Sequence, residues 1–175
     1  MKSMPTHDSA EALRIVALRI ADAPNMMKLG AECAKFTLPG SLVLLSGELG
    51  TGKTTFARGF IRQLGWQERI KSPSFSLLES YELEQLSLHH LDLYRIQSSA
   101  ELEYLGLREY INSRDILLVE WPEKAQGFFP PAQWTVSLQY EQEQRCVSLL
   151  AGPDIVKRWP DWQQAFAEWC LHQIE

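Results

Sequence analysis

A three-layer α/β fold on a mixed sheet, with a parallel core and antiparallel hairpins, is what this sequence predicts, and three observations lead to it. Two unbroken apolar runs, Leu42-Val43-Leu44-Leu45 and Ile116-Leu117-Leu118-Val119, have the composition of parallel strands buried on both faces. Between the first run and a helical stripe of Phe56, Ala57, Phe60, Ile61 and Leu64 lies a glycine-rich segment, Gly47-Glu48-Leu49-Gly50-Thr51-Gly52-Lys53-Thr54-Thr55. Its spacing fills Gly-x-x-x-x-Gly-Lys-Ser/Thr, the phosphate-binding P-loop, in the strand, loop and helix order that motif requires, so the fold expected is P-loop NTPase-like. Two pairs of β-rich runs, 75–83 with 86–93 and 134–140 with 145–150, are joined by short polar turns and supply the hairpins. At 175 residues and 45% hydrophobic, the chain predicts one domain, 1–175, around a single sizeable core.

The elements follow in order. Arg14-Ile15-Val16-Ala17-Leu18-Arg19-Ile20 reads as a strand, and Asp22 with Pro24 as the entry of a helix carrying Met26, Leu29, Cys33 and Ala34. The P-loop strand and helix come next, with Gly65 as the stop. Ser72-Pro73-Ser74 is loop chemistry ahead of the first hairpin, whose turn is Glu84-Gln85. Residues 100–110 hold one or two short helices, and the strand at 116–119 closes on Glu120. In the second hairpin, 141–144 form the polar turn. Finally Asp161 caps a helix in which Trp162, Ala165, Phe166 and Trp169 share one stripe, a pattern that favours core packing over a partner groove.

Composition excludes several classes. A net charge of −5 gives no basic footprint for nucleic acid, so any RNA would be held by another protein. Three widely spaced cysteines, Cys33, Cys146 and Cys170, suggest neither a disulfide framework nor a zinc site, and predict reduced, mostly buried thiols in a cytoplasmic setting. No run approaches the roughly eighteen apolar residues of a membrane span, and residues 1–9 lack a signal-peptide core.

The chemistry resides in a few residues. Glycines let successive N–H groups of residues 47–55 converge on a phosphate, Lys53 adds a positive charge, and the Thr54 hydroxyl is placed for Mg²⁺. Such a site needs a second acidic group, and Glu120, ending an apolar strand, fits. Asp92 in His89-His90-Leu91-Asp92-Leu93-Tyr94-Arg95 is another strand-end acid, able to orient an attacking water or hold the metal through water, or else to pair with Arg95. His90 is a weaker catalytic candidate and reads first as a core or rim residue. Ser72-Pro73-Ser74-Phe75 fits either a loop that senses the γ-phosphate or a proline-set turn. Asn112-Ser113-Arg114-Asp115 lacks the lysine of a guanine reader and precedes a strand, so ATP is the expected nucleotide.

Gly47 to Phe56, Lys71-Ser72-Pro73-Ser74-Phe75, His90-Leu91-Asp92-Leu93-Tyr94-Arg95, Glu101-Leu102-Glu103-Tyr104-Leu105-Gly106 and Val119-Glu120-Trp121-Pro122 together resemble the TsaE (YjeE) family. The likeness covers residues 20–150 and leaves 154–175 as a C-terminal helical extension. It implies an ATPase of bacterial tRNA threonylcarbamoyladenosine synthesis, slow alone and stimulated by partners. It also implies work with the TsaB–TsaD heterodimer, reset by ATP hydrolysis between rounds, with tRNA met only through that complex. Carried over by motif, Lys53 and Thr54 take the phosphate and Mg²⁺ positions, Glu120 the acidic metal position, Asp92 the second acid and Trp121 an aromatic place near the nucleotide. Asp22 would approach the adenine. Gly50 stands where alanine is common in the family. A small metabolite kinase is the alternative, disfavoured because no arginine cluster follows the second acidic strand, and a non-catalytic ATP-binding module is a third reading.

Overall fold

The computed structural model describes residues 15–111 and 113–171. Arg14, the stretch 1–9 and Asn112 of the guanine-reader lookalike lie outside the described residues, as does the side chain of Cys170. The elements run β1 (Ile15–Ile20), α1 (Ala23–Lys35), β2 (Leu42–Gly47), α2 (Lys53–Gln63), β3 (Leu78–Glu82), β4 (Ser87–Asp92), α3 (Ser99–Tyr104) and α4 (Leu107–Ile111). They continue with β5 (Ile116–Glu120), a 3-10 turn (Pro122–Ala125), β6 (Trp134–Glu141), β7 (Gln144–Ala151), α5 (Pro153–Arg158) and α6 (Trp162–Leu171).

Seven described strands form one sheet in the order β1-β7-β6-β2-β5-β4-β3. Its centre, β6-β2-β5-β4, is parallel, and antiparallel pairings add β7 and β1 on one side and β3 on the other. This is the mixed sheet the sequence predicts. Alternation along β5 sends Ile116 and Leu118 into one apolar cluster with α1, α2, α5 and α6, and Leu117 and Val119 into another with α3 and α4. Helices therefore cover both faces, which is what a strand apolar on both sides demands.

Local chemistry sets the helix ends. Asp22 caps α1 by accepting the Asn25 N–H at 2.9 Å, with Pro24 in the first turn. Leu64 closes α2 and Gly65 follows at φ 111°, the left-handed exit the sequence predicts. The expected tryptophan stripe is core: Trp162 and Phe166 are buried, and the Trp162 ring meets Trp134 edge-on at 5.2 Å. Cys33 is buried and Cys146 partly so, both as free thiols.

Three features depart from the sequence reading. Phe75, Ser76 and Leu77 do not belong to the first hairpin strand. Pro73 sets a turn closed by Leu77 N–H on the Pro73 carbonyl at 2.7 Å, Leu77 takes φ 68°, and Phe75 is 85% exposed, so β3 starts only at Leu78. The second turn is tighter than expected, since β6 extends to Glu141 and β7 starts at Gln144. The 3-10 turn and α5 are short, proline-started segments with too few residues to show a period. No described helix is long and apolar enough to cross a membrane.

Helices α1 and α2 meet backbone to backbone. A Cβ added at Gly59 would lie 1.8 Å from the Met27 carbonyl oxygen, and one at Gly30 would lie 2.1 Å from that of Phe56. Neither obstacle is a flexible side chain, so the helices would have to separate. Gly59→Ala is expected to lower the unfolding free energy by about 1–3 kcal/mol, the range for overpacking, measured by urea denaturation; an unchanged midpoint would mean that the helices are not held at this distance.

Candidate nucleotide-binding site

The site forms where β2, β5 and β4 end together. Gly47 finishes β2 at φ 141°, and a Cβ there would sit 2.3 Å from the Leu138 carbonyl oxygen on β6, so only glycine lets the loop leave the sheet at this point. Thr51 folds the loop back, its hydroxyl donating to the Glu48 carbonyl at 2.8 Å, and Gly52 precedes α2 at φ 110°. The Tyr140 hydroxyl reaches across from β6 to the Leu49 carbonyl at 2.8 Å. Glu48 and Leu49 thus contribute backbone to the loop, and the Leu49 side chain stands 70% exposed. The loop runs into the N-terminus of the eleven-residue α2, where first-turn N–H groups have no helical carbonyl to pair with and the helix dipole favours an anion.

Lys53 opens α2 and is 4% exposed. Its ammonium donates to the Gly47 and Glu48 carbonyls at 2.7 and 2.9 Å and lies 3.8 Å from the centre of the Trp121 ring. Burial pushes its pKa down from the ordinary value, while Glu120, Glu123 and Asp92 oppose the shift. Thr54, the next residue, donates its hydroxyl to Glu120 Oε2 at 3.0 Å. That bond leaves the oxygen lone pairs of Thr54 free to face a cation.

Parallel pairing sets Asp92 of β4 directly beside Glu120 of β5, and both acids are buried, at 7% and 2% exposure. The Glu120 carbonyl accepts from Leu93 N–H and the Leu45 carbonyl from Trp121 N–H, so the ladder continues just past the strand ends and holds them in line. Asp92 does not pair with Arg95. Its Oδ1 accepts the Tyr94 N–H at 3.0 Å, whereas the Arg95 guanidinium covers the Phe75 ring at 4.7 Å. Burial raises the Asp92 pKa above the ordinary carboxylate value; the Tyr94 N–H pulls it back, and Glu120 adds to the rise.

Trp121 takes a left-handed backbone, φ 59°, which is costly for a bulky residue. Tyr94 packs on it with ring centres 5.1 Å apart, and Lys53 lies over its face. Asp22, Met26, Gly50, Thr51, Gly52 and Thr55 line a pocket of about 150 Å³ on the other flank of the loop, so the α1 cap and the P-loop share one opening. Ser72 and Ser74 bond to each other at 3.3 Å in the proline-set turn, which approaches the end of β4 through Phe75 on Arg95.

Sequence reasoning missed how His90 is used. The ring is fully buried, and its Nε2 lies 2.8 Å from Glu120 Oε1. Two residues before Asp92 on one strand places both on the same face, and that spacing was the available signal. Among the described residues no group of three or more His, Cys, Asp or Glu side chains could by itself hold a metal ion. The donors present are a hydroxyl and carboxylates, the oxygen ligands Mg²⁺ takes when phosphates and water complete its shell.

A glycine-rich loop leaving a central parallel strand, with acids at the ends of neighbouring strands, defines a P-loop NTPase-like α/β protein. The fold matches the crystal structure of YdiB from Bacillus subtilis with a TM-score of 0.72 over 91% of this chain and 98% of that one, at 24% identity. A family model described as threonylcarbamoyl adenosine biosynthesis protein TsaE matches residues 20–147. The tRNA threonylcarbamoyladenosine biosynthesis protein TsaE of Haemophilus influenzae is 37% identical over 143 residues, 79% of this chain and 90% of the relative. The protein of the same name from Bacillus subtilis is 43% identical over 88 residues, 50% of this chain and 54% of its own. The chain belongs to the TsaE family, as its motifs suggest.

The raised pKa of Asp92 has a consequence for stability. The folded state binds this proton more tightly than the unfolded chain, so the contribution is complete below the ordinary carboxylate pKa and is lost as pH rises through the higher folded value. Asp92→Asn keeps an acceptor for Tyr94 N–H and removes the buried charge. The variant is expected to have the higher urea midpoint at pH 7, with the gap closing below the ordinary carboxylate range. A gap that does not change with pH would rule out charge burial as its cause.

Proposed function

We propose that the protein binds ATP with Mg²⁺ and hydrolyses it as the nucleotide-driven component of tRNA threonylcarbamoyladenosine synthesis in the cytoplasm. In this reading it acts with TsaB–TsaD and resets that complex between rounds. The observation that carries the reading is the convergence of Lys53 and Thr54, from the first turn of α2, with Glu120 and Asp92 at the ends of adjacent parallel strands, beside the glycine-rich loop. The net charge of −5 agrees with a tRNA held by the partners.

The loop amides and Lys53 hold the phosphates, and on binding Lys53 exchanges its two carbonyl partners for phosphate oxygens. Thr54 and Glu120 would hold the metal, which when bound would supply charge neutralisation on the phosphate oxygens. Asp92, with one oxygen fixed by Tyr94 N–H, turns its other toward a water and accepts a hydrogen bond from it. Trp121 covers Lys53 and limits water beside the charges. Phosphoryl transfer has a loose transition state, so positioning and electrostatics supply most of the acceleration.

The test is phosphate release from ATP without an acceptor, alone and with TsaB–TsaD. Stimulation by the heterodimer is expected, and Lys53→Ala is expected to lose about a hundredfold or more, on the order of 3 kcal/mol. Glu120→Ala and Asp92→Ala should lose turnover yet remain in pull-downs with the heterodimer. Phosphate transferred to a metabolite, or tight ATP binding with no turnover in the full complex, would overturn the proposal.

A further inference from the structure

Glu120 is held at both oxygens. Thr54 donates to Oε2 from α2 at 3.0 Å, and His90 meets Oε1 from β4 at 2.8 Å. Two anchors on the two oxygens of a planar group fix its rotation, and at 2% exposure the carboxylate has little contact with solvent. The histidine is itself fully buried, and its Nδ1 has no partner. A proton on Nδ1 would strand a donor in the core and turn the Nε2 lone pair onto the carboxylate, so the hydrogen-bond partners assign the proton to Nε2.

We propose that His90 is a positioning residue of the nucleotide site, whose Nε2–H holds Glu120 Oε1 so that Oε2 faces Thr54 and the divalent cation bound there. The inference rests on the proposed Mg²⁺-nucleotide function. Without His90, Oε1 becomes a buried acceptor with no donor, and the carboxylate has Lys53 within electrostatic reach. Rotating toward that ammonium would weaken both the cation site and the lysine's hold on phosphate. His90 thereby links β4 to the chemistry at the end of β5 without touching the nucleotide. Partners that orient metal ligands in this way typically cost about 10–100-fold in metal affinity or activity when removed.

His90→Leu removes the donor and fills the space, whereas His90→Gln keeps an N–H at the Nε2 position. Calorimetry of ATP binding across a Mg²⁺ series reads the cation site apart from turnover, and ATP binding in EDTA reads the loop alone. The expected result for His90→Leu is a Mg²⁺ requirement raised about tenfold or more with little change in EDTA, and recovery to within a few-fold in His90→Gln. In a Glu120→Ala background, His90→Leu should add nothing further. An unchanged Mg²⁺ requirement in His90→Leu overturns the proposal. So does an equal defect in His90→Gln when its urea midpoint matches wild type, because that marks a role in packing alone. If wild type itself shows no Mg²⁺-dependent ATP binding, the functional reading fails and the positioning role goes with it.

Discussion

The structure is organised around one expensive choice, a carboxylate at the buried end of an apolar strand. Glu120 is nearly inaccessible, and removing a carboxylate from water costs several kcal/mol unless charge and hydrogen bonds answer it. The answers come from three elements: a hydroxyl from the first turn of α2, an imidazole from β4, and the nearby ammonium of Lys53. Each works only if the strand ends stay level. Parallel pairing of β2 with β5 and of β5 with β4 meets that need, and the apolar residues behind Glu120 secure the register by burying both faces of the sheet.

Much of this was legible in the sequence where a local rule acts alone. The P-loop has a fixed spacing because the backbone must leave the strand and enter the helix within a few residues, so Gly47, Lys53 and Thr54 could be read directly. Helix α1 was visible from its Asp22 cap and Pro24, and α6 from a stripe that needed only a core to meet. Glu120 was evident from the apolar run before it, and Asp92 from its place at the end of a β-rich run.

What could not be read depends on partners distant in sequence or on backbone angles. Phe75 and Leu77 look like strand residues by composition, but Pro73 closes a turn through them and Leu77 adopts a left-handed angle that composition does not reveal. His90 and Glu120 are thirty residues apart, and their contact exists only because β4 and β5 pair in one register. Trp121 is similar. Nothing in Glu120-Trp121-Pro122 announces a positive φ, whose cost of about 1–3 kcal/mol is offset by the packing of its ring between Lys53 and Tyr94.

The contact of α1 with α2 has a mechanical consequence. Where Gly30 and Gly59 let two backbones touch, no side chain stands between them at these positions to absorb relative sliding, so close packing resists shear of one helix against the other. One helix begins at Lys53 and the other at the Asp22 cap, both of them beside the glycine loop. Through Ala21 and Asp22, β1 enters α1 at that same end, so the strand at the outer margin of the sheet is tied to the glycine loop by the pocket they share.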